Sequence, residues 1–230
     1  MCSRYSFSDN LDELVRVLRV ETIPLERRYN VAPLSSGPVV VQRPGELPRI
    51  ELMQWGLVPW WARDASGAAE MSTAPAETVA ERAALRSGYH QRRCLVIADG
   101  FYQWGGSHEP RQPWRFTLNG GGASLMLLAG IWESWRPLGA PAPLYTYSIL
   151  TTTANAAVAG VHDRMPVILE EKNWSLWLNP TTPPDTLAAL LRPWPHSLTV
   201  FPATPRLEDP LFQGKECHEP HLPTRHDHTC

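Results

Sequence analysis

Cys94-Leu95-Val96-Ile97-Ala98 is a short apolar run followed by Asp99-Gly100. A run of this length, rich in branched residues, reads as a strand. Trp114–Leu118, Ser124–Ile131 and Tyr145–Thr152 read the same way downstream, with Gly120-Gly121-Gly122 as a loop between two of them. Upstream, Pro38–Gln42 and Leu47–Trp55 flank a turn at Pro44-Gly45, and Ser197–Phe201 is a last strand. Helices are few. Leu11, Leu14, Val15 and Leu18 share one face of residues 11–20. Ser8 or Asp9 would cap that helix, and Asp12 and Glu13 suit the positive end of its dipole. Thr78–Arg86, Asn173–Leu178 and Asp185–Leu191 predict further short helices. These elements predict one α+β domain over residues 1–208, with an antiparallel or mixed sheet curled towards a barrel. No internal repeat or long linker divides the chain. Residues 209–230, rich in His, Pro and charge, predict a poorly ordered tail.

Composition narrows the function. The chain has 230 residues, 43% hydrophobic and 19% charged, with a net charge of -2. That is enough to bury a core without disulfides or metal. The pI near 6.4 gives no global basic footprint, so any nucleic-acid contact has to come from a local basic cleft. The four cysteines, Cys2, Cys94, Cys217 and Cys230, form no CxxC pair and no disulfide framework. The N-terminus lacks a signal-peptide pattern and no apolar run reaches membrane-spanning length. A reducing cytoplasm is the expected location, where Cys2 stays a thiol. Twenty-three prolines predict short elements and irregular connections. Ten tryptophans offer flat faces for a core or for stacking on bases.

Cys2 carries the most distinctive chemistry. A small residue at position 2 normally allows the initiator Met1 to be removed. Cys2 would then hold an α-amine and a thiol on one residue, with reference pKa values of about 7.7–8.0 and about 8.5. Such a 1,2-aminothiol reacts with an aldehyde twice: the amine forms a Schiff base, and the thiol closes a thiazolidine ring. A lysine performs only the first step. On its own, a cysteine at position 2 is more often a frayed terminus than a reactive group.

Further blocks follow in order: Arg28-Tyr29-Asn30-Val31-Ala32-Pro33; Trp55-Gly56-Leu57-Val58-Pro59; Ala98-Asp99-Gly100-Phe101-Tyr102 with Trp104; and Val161-His162-Asp163-Arg164-Met165-Pro166-Val167-Ile168-Leu169. Together with Met1-Cys2 and Arg4 they resemble the signature of the SOS response-associated peptidase (SRAP) family, over roughly the first three-quarters of the chain. The resemblance implies a pseudo-barrel of bifurcated β-sheet with peripheral helices. It implies binding of single-stranded DNA with abasic sites, whose ring-opened sugar is an aldehyde, and a DNA–protein cross-link through Cys2. The peptidase label implies autoprocessing that exposes Cys2. No cofactor or membrane is implied, and no protein partner can be inferred.

The same resemblance marks the site. His162 matches the family histidine, which titrates near neutral pH and can move protons. Where the family carries a glutamate after the Phe-Tyr pair, this chain has Gln103, which hydrogen-bonds but cannot give and recover a proton. In the block that normally reads Asn-Ala-Arg-x-Glu-Thr, Thr73 replaces an active-site asparagine and Pro75 a DNA-contacting arginine. Ser3 replaces a glycine. Arg4 and Arg164 are the candidate phosphate or sugar contacts. Trp60 and Trp61 either stack on unpaired bases or pack in a core, and Trp104 is assigned to a core. Asn30 lies near the site by resemblance, or caps a turn. Cys217, His218, His221, His226, His228 and Cys230 are potential metal ligands, but their spacing does not match a structural zinc site, and no metal is assigned.

Three functions stay open on these residues. The first is an abasic-site sensor acting through Cys2, slowed or retuned by Gln103. The second is a DNA-binding module that kept the fold but lost efficient chemistry. The third is a cysteine peptidase using Cys2 and His162 as nucleophile and base.

Overall fold

The computed structural model describes residues 3–7, 10–105, 111–119 and 124–221. The strands in chain order are β1 (Arg4–Phe7), β2 (Arg28–Val31), β3 (Ser36–Val41), β4 (Arg49–Trp55), β5 (Thr73–Pro75), β6 (Arg93–Ala98), β7 (Gly100–Gly105), β8 (Gln112–Leu118), β9 (Met126–Trp135), β10 (Leu144–Thr153), β11 (Arg164–Pro166) and β12 (Leu198–Pro202). The helices are α1 (Asp12–Leu18), α2 (Ala83–Gln91), α3 (Ala156–Ala159), α4 (Trp174–Leu178) and α5 (Pro184–Leu190).

Two sheets result. One is five-stranded and antiparallel, in the order β12-β8-β7-β1-β2. The other runs β10-β4-β3-β6-β9, and β9 pairs again with β10, which closes these five strands into a barrel. β10 is the strand that bifurcates it. On one side Thr146 and Tyr147 pair in parallel with β4, and Ile149 to Thr151 then pair with β5. On the other side Leu144 to Ile149 pair with β9, and Thr151 to Thr153 then pair with β11. The expected α+β pseudo-barrel with a bifurcated sheet is the architecture found.

Local chemistry explains the closure. Gly130 faces Cys94 across β6 and β9, and a Cβ there would come within 2.9 Å of the Cys94 sulfur. Tyr5 from the five-stranded sheet and Tyr147 from the barrel share a hydrogen bond of 2.6 Å. Their hydroxyls fill the space where a side chain at Gly37 would sit. β6 and β9 are almost wholly buried because the barrel covers one face and α2 and α4 cover the other. Trp177 of α4 seals that contact by donating to Cys94 O at 2.9 Å.

Several sequence expectations are corrected. The helix expected at Thr78–Arg86 begins later, at Ala83. Val79 is buried and Arg82 is extended, so residues before Ala83 make turns that follow the core wall. Helix α1 has Leu11 at its N-cap position, and the Asp12 N–H donates to Asn10 Oδ1 at 3.3 Å; Ser8 and Asp9 lie outside the described residues. The loop at Gly120–Gly122 also lies outside them. Residues 209–221, expected to be loose, pack against the five-stranded sheet, and Cys217 is fully buried. Tyr29, Asn30 and Tyr102 supply polar anchors that the composition of this segment does not reveal.

Candidate active site

Three separated segments meet near the far end of β10. The first is β5 and the residues after it. Thr73, largely buried, pairs with Ile149, Pro75 pairs with Thr151, and the Ala76 N–H donates to Thr151 O at 2.8 Å. The second is β7, which carries Gln103. The third is the turn between α3 and β11, which carries His162, Asp163 and Arg164.

Gln103 is only 1% exposed, and its Nε2 donates to Arg164 O at 3.0 Å. A carbonyl only accepts, so the amide nitrogen must face it. The Arg164 N–H in turn donates to His162 Nδ1 at 3.0 Å. Asp163 Oδ1 lies 2.8 Å from the same Nδ1. One ring nitrogen cannot serve both partners at once. Unprotonated Nδ1 accepts from Arg164, and protonated Nδ1 donates to Asp163. Burial pushes the His162 imidazole below its ordinary pKa, and the Asp163 carboxylate opposes that shift. The shift favours the neutral ring, and the Arg164 N–H, which can only donate, takes Nδ1 as its acceptor in the tautomer that carries its proton on Nε2.

Arg164 is tied at both ends. Its guanidinium meets Glu77 through two bonds of 2.8 Å, and Nη2 also donates to Thr151 O at 2.6 Å. The hydrogen bonds from Arg164 hold the Glu77 carboxyl below the usual carboxylate range. Glu77 lies inside the Thr73–Thr78 block, yet its tie to an arginine 87 positions away is invisible in the sequence.

Cys2 lies outside the described residues. Ser3 is the first described residue, and β1 starts at Arg4 opposite Tyr102, one position from Gln103. Arg4 donates to Ser3 O at 2.7 Å, reaches Glu208 O at 3.5 Å, and lies over the Trp104 ring at 5.8 Å. Trp104 is half-buried beneath it.

The other candidates are more scattered. Trp60 and Trp61 project from the turn after Pro59, 65% and 56% exposed, so neither is core. Gly56 shapes the approach to that turn: its φ of 126° is open to glycine, and a Cβ would meet Ala68 O at 2.6 Å. Trp61 borders a cleft of about 280 Å³ with Leu57, Ala68 and Met71. Asn30 is fully buried, and its Nδ2 donates to Leu207 O at 3.3 Å and to Asp209 O at 2.9 Å. Gln213 completes the clamp, accepting from the Asn30 N–H and donating to Asn30 O. This asparagine fastens the C-terminal segment. Among the potential metal ligands, burial pushes the Cys217 thiol up to about 11, and His218 Nε2 is engaged by Arg115 at 3.1 Å. His226, His228 and Cys230 lie outside the described residues.

Residues 1–210 match the SOS response associated peptidase (SRAP) family. The chain belongs to that family. Among its SRAP relatives, abasic site processing protein YoqW of Bacillus subtilis is 33% identical over 229 residues, covering 96% of this chain and all of the relative. Abasic site processing protein YoaM of the same organism is 34% identical over 200 residues, covering 84% of this chain and 86% of the relative. Abasic site processing protein HMCES of Gallus gallus is 31% identical over 200 residues, covering 72% of this chain and 58% of that protein. In fold, the chain is similar to a Bacteroides thetaiotaomicron protein of known crystal structure, with a TM-score of 0.83 at 22% identity, over 96% of this chain and all of that one. No described helix of this SRAP chain is long and apolar enough to cross a membrane.

Proposed function

We propose that this chain processes abasic sites in single-stranded DNA by a covalent step at Cys2, exposed by removal of Met1. What supports the reading is the convergence of His162, Gln103 and Arg164 beside the start of β1, next to the residue that follows Cys2. The Cys2 α-amine attacks the aldehyde carbon of the opened deoxyribose, the carbonyl oxygen leaves as water, and an imine forms. The thiolate then adds to the imine carbon, the nitrogen takes up a proton, and a thiazolidine closes. His162 serves the proton transfers because Nδ1 has a partner in either state, the Arg164 N–H when bare and Asp163 when protonated. Nε2 thereby switches between donor and acceptor. Gln103 orients the sugar without exchanging a proton, and Thr73 stands in for the family asparagine. Arg4 guides the phosphate backbone, and Trp60 and Trp61 offer stacking faces worth roughly 1–3 kcal/mol per base. Asn30 contributes by holding the C-terminal segment whose Glu208 carbonyl meets Arg4. A reducing compartment keeps Cys2 a thiol.

The replacement of a proton-transferring carboxyl by Gln103 favours one second reading, a DNA-binding SRAP protein with lost chemistry. Intact mass spectrometry after mixing the protein with single-stranded DNA holding one abasic site separates the two. The expected product has the mass of the chain without Met1 plus the DNA, less one water. It is absent in Cys2→Ser and slow to form in His162→Ala. Tight binding with no adduct, in a chain already lacking Met1, would establish the binding module instead.

A further inference from the structure

Glu77 has no part in the chemistry above, yet two site side chains depend on what it grips. Arg164 gives them its peptide groups, its N–H to His162 Nδ1 and its C=O to Gln103 Nε2, both at 3.0 Å. Both bonds therefore depend on where the Arg164 backbone lies. Arg164 is the first residue of β11, a strand of three residues, and opposes Thr153, the last residue of β10. Strand ends of this kind fray when nothing else holds them. Here the side chain is the anchor. Its two parallel bonds of 2.8 Å to Glu77 fix the guanidinium in plane, and its bond to Thr151 O ties the same group to β10. Glu77 is fixed in turn by its neighbour, since the Ala76 N–H donates to Thr151 O at 2.8 Å.

We propose that Glu77 is a positioning residue of the site: through Arg164 it sets the orientation of His162 and Gln103. The role of those two side chains rests on the proposed function; their geometry does not. Stability alone gives little reason for the pair. The Glu77 side chain is 48% exposed and that of Arg164 21%, so even with two parallel bonds the pair is partly screened by solvent and adds modestly to folding. Loss of the pair should leave the fold standing while the site loosens, which separates positioning from a structural role.

The test uses the full chain with Glu77→Gln, which removes the charge and one acceptor, and Glu77→Asp, which keeps the carboxylate. Nitrogen-15 chemical shifts of the His162 ring in the DNA-free protein report the tautomer directly. The native protein should show Nδ1 unprotonated, Glu77→Gln a mixture of tautomers, and Glu77→Asp a return towards the native pattern. In single-turnover reactions at saturating abasic DNA, Glu77→Gln should slow adduct formation roughly tenfold to a hundredfold, the scale of a small misplacement of reacting groups. Its affinity for an intact strand should stay within about twofold. Native nitrogen shifts in Glu77→Gln would overturn the proposal, as would a rate loss fully recovered by more DNA. If the native protein forms no adduct, the covalent reading falls and the nitrogen shifts alone decide the positioning role.

Discussion

At position 103 the chain holds the amide counterpart of a protonated glutamic acid. Its NH₂ donates to Arg164 O at 3.0 Å, as a carboxylic acid O–H would. A glutamate placed there would set its carboxylate against a carbonyl oxygen inside a site that is only 1% exposed at this position. Both effects favour the protonated form and push that carboxyl above its ordinary range. Gln103→Glu should therefore add a proton donor at neutral pH and speed single-turnover adduct formation at least about tenfold, given general acid–base contributions of roughly 10²–10⁴. An unchanged rate would mean that position 103 only orients the sugar. The family resemblance, not residue type, made Gln103 and His162 legible, since seven other histidines carry the same ring without a matching block. Asn30 shows the limit. Its amide suits a site or a clamp equally well, and only the carbonyls of Leu207 and Asp209 decide for the clamp. Asn30→Ala would strand those carbonyls and should cost about 1–3 kcal/mol, read from urea melting.

Among the elements, the segment over residues 203–221 differs most from what its sequence suggests. It contains two short 3-10 turns, Pro205–Glu208 and Lys215–His218, and little periodic hydrophobicity, so nothing in its pattern announced packing. Its anchors are tertiary. The Tyr102 hydroxyl lies within hydrogen-bonding distance of Tyr29 O and Cys217 O, and His218 sits against Arg115, with its ring edge-on to Tyr29. β5 and β11 are illegible in the sequence for a related reason, since three residues are too few to show a period. The longer β6, β9 and β10 were legible because their apolar runs exceed a turn's length. The anchoring of this segment also depends on pH. Burial, with Arg115 and Arg27 nearby, pushes His218 down to about 3, although the Asp99 carboxylate lies 3.7 Å from its Nε2. In the unfolded chain the same ring takes a proton near pH 6.5. Between those values the unfolded state binds the extra proton, so the His218 contribution is present above pH 6.5 and is lost as pH falls towards 3. Hydrogen exchange in residues 209–221 should accelerate relative to the barrel as pH falls through that window. The acceleration should be smaller in His218→Gln, whose amide oxygen can still accept from Arg115. An equal response in both proteins would remove His218 as its cause.

Across the whole molecule, the two sheets join where β6 ends and β7 begins, and Asp99 is the residue between them. Its N–H donates to Ser6 O at 2.8 Å, which ties the crossing to β1. Its carboxylate, 1% exposed, accepts from Ser6 Oγ at 2.5 Å and from Arg115 Nη2 of β8 at 3.0 Å. One side chain thus links the barrel's exit to two strands of the other sheet, and Arg115 carries the link on to His218. The strand Cys94–Ala98 was legible in the sequence, but neither the crossing at Asp99 nor the buried cation it meets was, because Arg115 sits in a strand that reads as ordinary alternation. A buried ion pair adds little net stability over an apolar replacement, yet removal of one partner leaves an uncompensated charge that costs about 3–5 kcal/mol. Asp99→Asn should therefore destabilise the protein by about that amount, since the amide keeps the shape and loses the charge. Asp99→Asn combined with Arg115→Met should cost much less than the sum of the two changes made singly, because the second removes the charge that the first had stranded. Urea melting of the four proteins gives the coupling directly. A coupling below about 0.5 kcal/mol, the level at which distant sites add, would mean that the sheets are held together by the Tyr5–Tyr147 contact and apolar packing, with Asp99 a passive occupant of the crossing.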